Sequence, residues 1–130
     1  MTGMSVAKKL LVKPGQHLAL VNAPSHYAGV LAPLPEGVEV TDGLAGPVNA
    51  VHLFVNNMTE LDRLVSPVLG ALPPDGLLWI AYRKGGVKAG TDINRDILRE
   101  TLETMHDWRA TTLVAIDDVW SAMRFRRVEL

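Results

Sequence analysis

Four short segments rich in apolar residues constrain the fold of this chain more than any other feature. They read "HLALVNA" (17–23), "GVEVTD" (37–42), "NAVHLFVNN" (49–57) and "LLWIAYR" (77–83). Turn residues bound these segments, and the consecutive apolar residues of the first, third and fourth segments are typical of strands that are covered on both faces. Because helices cover both faces of parallel sheets, the four segments predict the core of a mainly parallel sheet.

The segments before, between and after these strands carry helical patterns. Residues 4–12 form a candidate short helix, and residues 25–34 predict a second helix with Ser25 as its N-cap. Apolar spacing of i, i+3, i+4 and i+7 predicts longer helices over 58–72 and 92–108. The last helix is expected to have Thr91 or Asp92 as its N-cap and, as inward-facing residues, Ile93, Ile97, Leu102 and Met105.

A C-terminal hairpin completes the predicted sheet. Residues 110–117 and 120–128 have strand character, and the connection at Asp117–Val119 is so short that the two strands must be antiparallel. Right-handed crossovers are expected between the four parallel strands, whose predicted order is 2-1-3-4 with the hairpin beyond strand 4. The predicted fold class is therefore α/β: a Rossmann-like open sheet, mainly parallel, with helices on both faces, in a single domain over 1–130.

Composition excludes several classes of protein. The chain has 130 residues, a formal net charge of −1 and no cysteine. This charge predicts neither a nucleic-acid partner nor attraction to an anionic membrane. The absence of cysteine excludes disulfide scaffolds, thiolate metal sites and a cysteine nucleophile. The histidines lack the spacing of metal ligands, so we expect no metal site. The apolar patch near the N-terminus is too short for a signal peptide or a membrane span, and we expect a cytoplasmic protein.

Several motifs carry a resemblance to known proteins. "GPVNAVHLFV" and "PPDGLLWIAY", together with the C-terminal strand pair, resemble the core of class I S-adenosylmethionine-dependent methyltransferases in shortened form. From about Lys13 to Arg127 the chain is also similar to a family of short bacterial proteins, which share "NAP", "HLFV", "DGLLW", "DINRDILRE" and "DDVWSAMRFR". These resemblances imply a Rossmann-like, methyltransferase-like fold, and the bacterial family implies no established activity.

The turn after the first strand departs from the methyltransferase pattern. The resemblance implies an acidic-x-glycine-x-glycine turn at this place, but Asn22, Ala23, Pro24 and Ser25 stand here. Pro24 lacks a backbone N–H donor, and the Cβ of Ala23 obstructs close approach of a ligand to the backbone. We therefore expect no cofactor, and weak binding of S-adenosylmethionine at most.

Asp42 matches a second feature of the methyltransferase pattern. It stands at the end of the second strand, where the resemblance implies an acidic residue that holds ribose hydroxyls. The alternative is an ordinary turn residue before Gly43.

Two groups of polar residues are the candidate ligand-binding site. One follows the first strand and consists of Asn22, Ser25, His26 and Tyr27; the other follows the fourth strand and consists of Lys84, Lys88, Asn94 and Arg95. Open α/β sheets bind ligands at the carboxyl ends of their parallel strands, so we expect both groups to face one crevice. The lysines, the glycine-containing backbone and Arg95 favour an anion. The alternative is a solvated loop and a charged helix face.

Two functional hypotheses follow. The first is a non-catalytic Rossmann-like module that binds a small anionic ligand or a protein partner. The second is a minimal S-adenosylmethionine-dependent methyltransferase. The altered turn and the short chain favour the first hypothesis, and the sequence leaves open both catalysis and the formation of homo-oligomers.

Overall fold

The computed structural model describes residues 5–128, which form one six-stranded sheet in the order β2-β1-β3-β4-β6-β5. The strands are β1 (His17–Val21), β2 (Glu39–Asp42), β3 (Ala50–Phe54), β4 (Leu77–Arg83), β5 (Trp108–Ala115) and β6 (Trp120–Arg127). The first four strands are parallel, and β6 lies antiparallel to both β4 and β5. The predicted order 2-1-3-4 and the position of the hairpin beyond strand 4 are confirmed.

Helices lie on both faces of the sheet, as predicted. They are α1 (Val6–Lys9), α2 (Tyr27–Leu31), α3 (Met58–Ala71) and α4 (Arg95–Met105). Ile80 of β4 packs in one apolar cluster with Val65 of α3 and Leu98 of α4, whereas Trp79 packs in a second cluster with Leu31 of α2. Successive residues of a strand point to opposite faces, so burial on both sides explains the continuous apolar runs. Within residues 5–128, no helix combines the length and the apolar character that crossing a membrane requires.

The helix before the hairpin begins later than its sequence pattern predicts. Asn94 is the N-cap of α4, and its side chain accepts a hydrogen bond from the Ile97 N–H at 2.9 Å. The expected caps bind elsewhere: the Thr91 hydroxyl donates to the Asn56 carbonyl at 2.6 Å, and the Asp92 carboxylate accepts from the Met58 N–H at 2.8 Å. These long-range bonds fix the loop before α4, so the helix starts only after it.

The predicted inward face of α4 is partly wrong. Leu98 and Leu102 are its buried residues, with Ile93 buried just before the helix. Ile97 is 38% exposed and Met105 is 74% exposed. The i, i+4 pair of leucines faces the sheet, so neighbouring apolar positions on the helix turn outward.

Candidate functional site

The turn after β1 is built without glycine. Asn22 adopts φ 59°, in the left-handed region that most residues avoid and that asparagine tolerates better than most. Its side-chain Nδ2 donates to the Phe54 carbonyl at 2.8 Å and to Oε1 of Glu60 at 3.0 Å. The side chain of Asn22 therefore ties the end of β1 to the end of β3 and the first turn of α3.

Glu60 is the centre of a polar network at the carboxyl ends of the strands. Its Oε1 accepts hydrogen bonds from the backbone N–H of Asn56 at 2.7 Å and from Asn56 Nδ2 at 3.0 Å, besides the bond from Asn22. Burial tends to raise the pKa of Glu60, but the hydrogen bonds from Asn56 and Asn22 hold it below its ordinary value. The network continues through Asn56 Oδ1, which accepts from Nε of Arg83 at 2.9 Å. We call Asn22, Glu60, Asn56 and Arg83 the carboxyl-end network.

Asp42 ends the edge strand β2 with an exposed side chain. It pairs in register with Leu20, and the following Gly43 donates its N–H to the Leu20 carbonyl at 2.7 Å. The Asp42 carboxylate makes no hydrogen bond or ion pair to any residue in 5–128. A carboxylate free to accept hydrogen bonds thus lies one strand away from the turn at Asn22.

The first predicted group is divided between surface and core. Ser25 and His26 are exposed, as expected for residues that meet a ligand. Ser25 does not cap α2: His26 occupies the cap position and makes no side-chain capping bond. Tyr27, which we expected to line the crevice, is only 2% exposed.

Tyr27 instead belongs to the core because α2 packs its first residue against β3. The Tyr27 ring makes an edge contact with Phe54 at a centroid distance of 4.5 Å, and its hydroxyl lies 2.8 Å from Nδ1 of His52. Burial raises the pKa of Tyr27 and lowers the pKa of His52 to about 3. Neither group can therefore serve a ligand at the surface.

The second predicted group borders a cavity of about 480 Å³ beside the end of β4, which we call the β4 cavity. Lys84, Asn94 and Arg95 line it, whereas Lys88 does not. Arg83 also lines it, a residue that sequence reasoning missed. The available signal was its place as the last residue of a buried strand, where the chain reaches the ligand-binding edge of the sheet.

The two predicted groups do not share this cavity. No residue of 22–27 lines the β4 cavity. The carboxyl-end network joins the two regions instead, from Asn22 through Glu60 and Asn56 to Arg83. Two neighbouring surfaces therefore lie at the carboxyl ends of the parallel strands, one at β1 and β2 and one at β4. The carboxyl-end network lies between them.

Comparisons with known proteins find similarity in structure. The sequence matches no protein-family model and no curated protein. An O-methyltransferase family 2 protein from Planctomyces limnophilus, solved with apigenin, matches with a TM-score of 0.60 at 13% identity, over 88% of this chain and 50% of that one. The N-methyltransferase NodS from Bradyrhizobium japonicum, solved with S-adenosyl-L-homocysteine, matches with a TM-score of 0.61 at 14% identity, over 94% of this chain and 85% of that one.

An rRNA methylase from Streptococcus thermophilus matches with a TM-score of 0.58 at 13% identity, over 99% of both chains. The present chain thus spans half the length of the Planctomyces protein and nearly the whole length of the rRNA methylase. Identities this low show the fold alone. The chain has, in a short form, the Rossmann-like fold of class I S-adenosylmethionine-dependent methyltransferases.

Proposed function

We propose that this protein binds S-adenosylmethionine at the carboxyl ends of β1 and β2 and acts as a minimal methyltransferase. The observation that carries the proposal is the free carboxylate of Asp42, next to the left-handed turn at Asn22. This juxtaposition occurs in a fold shared with methyltransferases, one of them solved with S-adenosyl-L-homocysteine.

Asp42 has the chemistry that the ribose of such a ligand requires. A carboxylate at the end of the second strand can accept hydrogen bonds from both hydroxyls of a ribose. In this chain the carboxylate is exposed and has no partner in residues 5–128, so binding would not have to break an existing interaction. A residue serving only the turn before Gly43 would be expected to bond to the local backbone.

The geometry of the turn after β1 is more compatible with S-adenosylmethionine than its sequence suggests. Asn22 takes the left-handed conformation itself, so the chain reverses here without the missing glycine. Pro24 contributes through its carbonyl, which accepts from the Tyr27 N–H at 3.0 Å. The N–H groups of Ser25 and His26 donate to no other residue in 5–128 and are free for a ligand. The Cβ of Ala23 is the remaining obstacle to close approach.

When bound, S-adenosylmethionine supplies an electrophilic methyl group. The proposed work of the chain's own residues is to hold and orient it: Asp42 on the ribose, and the backbone of the 22–26 turn beside it. The carboxyl-end network keeps this turn in place, because Asn22 is bonded both to the Phe54 carbonyl and to Glu60.

Calorimetry with S-adenosyl-L-homocysteine tests the proposal. We expect the parent protein to bind, and Asp42→Asn to weaken binding by roughly tenfold or more, since a hydrogen bond to a charged group contributes about 1.5–3 kcal/mol. Asp75→Asn is the matched control, because Asp75 is also exposed but lies in the turn before β4, at the amino ends of the parallel strands. Absence of binding to the parent at millimolar ligand, or equal binding by the Asp42→Asn variant, would refute the proposal.

A further inference from the structure

We infer that the β4 cavity binds the anionic head of a small molecule, a carboxylate or a phosphate attached to an apolar body. Resting on the proposed function, this molecule would be the methyl acceptor. The two claims concern different surfaces, so each can be tested without the other.

The charge of the cavity lining is positive although the chain as a whole is slightly negative. Arg83, Lys84 and Arg95 contribute three cationic groups against the single carboxylate of Asp96. That carboxylate is shared between two exposed arginines, with Oδ1 lying 3.4 Å from Arg95 Nε and 3.6 Å from Arg99 Nη2. The remaining local field therefore favours an anion.

The cationic side chain of Arg83 is held in place by contacts outside the cavity, whereas Lys84 is held only through its backbone. Arg83 donates through Nε to Asn56 at 2.9 Å, and its guanidinium lies 4.9 Å from the centre of the Trp120 ring. The backbone N–H of Lys84 donates to the Val119 carbonyl at 2.8 Å, and its ammonium makes no ion pair to any residue in 5–128. Arg83 is thus pre-positioned, while Lys84 is free to close on a ligand.

The rest of the lining suits a ligand with an apolar body. Tyr82 and Ser121, which are register partners on β4 and β6, carry hydroxyl groups that can bond to an oxyanion. Leu113 and Val87 line the same cavity and remain 43% and 89% exposed. The volume of about 480 Å³ falls within the range of small-molecule sites.

The position of the cavity suits an acceptor. It lies at the end of β4, and parallel β4 and β1 end at the same edge of the sheet. Arg83 lines the cavity and also belongs to the carboxyl-end network that reaches Asn22. An acid anchored by Lys84 and Arg95 would therefore be held at the same edge as a ligand bound by Asp42.

Calorimetry with benzoate, phenyl phosphate and benzamide tests the inference. We expect at least one of the two acids to bind, and neutral benzamide to bind at least tenfold more weakly, since it lacks the charge. Lys84→Ala should weaken binding of the acid by roughly tenfold. Lys88→Ala is the matched control, because it removes an exposed lysine from the same loop but not from the cavity. Arg95→Gln, which removes a second cation from the lining, is also expected to weaken binding of the acid.

The outcomes separate the inference from the proposed function. Preference for benzoate or for phenyl phosphate would support the inference and identify the head group. Equal effects of Lys84→Ala and Lys88→Ala, equal binding of benzamide, or binding of neither acid would overturn it. If S-adenosyl-L-homocysteine binds and the acids do not, the inference fails alone. If the acids bind and S-adenosyl-L-homocysteine does not, the anion site stands and the methyltransferase proposal fails.

Discussion

The hydroxyl of Tyr27 lies 2.8 Å from Nδ1 of His52, and this buried hydrogen bond joins α2 to the centre of the sheet. Both side chains are almost fully buried, and the second ring nitrogen of His52, Nε2, has no hydrogen-bond partner among residues 5–128. Polar groups removed from water destabilise a fold unless they are paired. Among residues 5–128, the hydrogen bond to the Tyr27 hydroxyl is therefore what compensates for burying this imidazole.

Replacing the tyrosine tests this relationship. Tyr27→Phe keeps the ring that packs on Phe54 but removes the hydroxyl, so Nδ1 of His52 loses its partner and the buried imidazole is left without a hydrogen bond among residues 5–128. We expect the free energy of unfolding to fall by about 1–2 kcal/mol, measured by urea denaturation. An unchanged free energy would show that the hydrogen bond adds nothing to stability.

Burial of His52 predicts a stability that depends on pH. The pKa of His52 is about 3 in the folded protein and near 6.5 in an unfolded chain. Between these values the unfolded chain binds a proton that the folded protein excludes, so stability decreases as pH falls from 6.5 towards 3. From pH 7 to pH 5 the expected loss is about 2 kcal/mol, measured by denaturation at each pH.

The histidine responsible can be identified by substitution. His52→Asn removes the titrating group and should flatten the dependence on pH in this window, whatever its effect on stability at pH 7. His26→Asn is the control, since this histidine is exposed at the surface, and it should leave the slope as in the parent. A slope that persists in His52→Asn would contradict the assignment.

The sheet could be predicted from the sequence because its central strands are buried on both faces. Every residue of β3 is buried, so the mainly apolar run "AVHLF" indicates a strand in the interior of the sheet. The tight connection at Asp117 was equally informative: its Oδ1 accepts from the N–H groups of Val119 and Trp120, both at 2.8 Å. The buried apolar runs and the tight turn at Asp117 were thus together sufficient to predict the strand order.

The candidate site was harder to predict from the sequence, because contacts between residues far apart in the chain position its members. Tyr27 was expected to face the crevice, but it contacts His52, 25 positions away, and Phe54 in the core. Arg83 lines the cavity and is bonded through Nε to Asn56, 27 positions earlier. Sequence spacing contains no signal for such pairs, whereas Lys84 and Arg95 stand on one continuous stretch of the sequence and could be named together as candidates.

Two glycines that look alike in the sequence should respond oppositely to alanine. A Cβ on Gly76 would lie 2.8 Å from Leu72 Cδ2 and 3.0 Å from the Pro73 carbonyl oxygen, so the turn before β4 must shift. We expect Gly76→Ala to lower the free energy of unfolding by about 1–2 kcal/mol. A Cβ on Gly70, within α3, meets nothing within 4 Å, and Gly70→Ala should raise it by about 0.5 kcal/mol. Urea denaturation of both variants measures the difference, and a common sign would contradict the geometry.

Asn22 combines two roles that a pair of variants can separate. Its φ of 59° satisfies the turn, and its side chain bonds to the Phe54 carbonyl and Glu60. Asn22→Gly loses the side-chain bonds but adopts this φ freely, whereas Asn22→Ala loses the same bonds and must also adopt a conformation that disfavours a Cβ. We expect alanine to be less stable than glycine by about 1 kcal/mol in urea denaturation. Equal stability of the two variants would mean that the turn relaxes out of the left-handed region once the side chain is gone. The carboxyl-end network, rather than the local backbone, would then be what holds the turn beside Asp42.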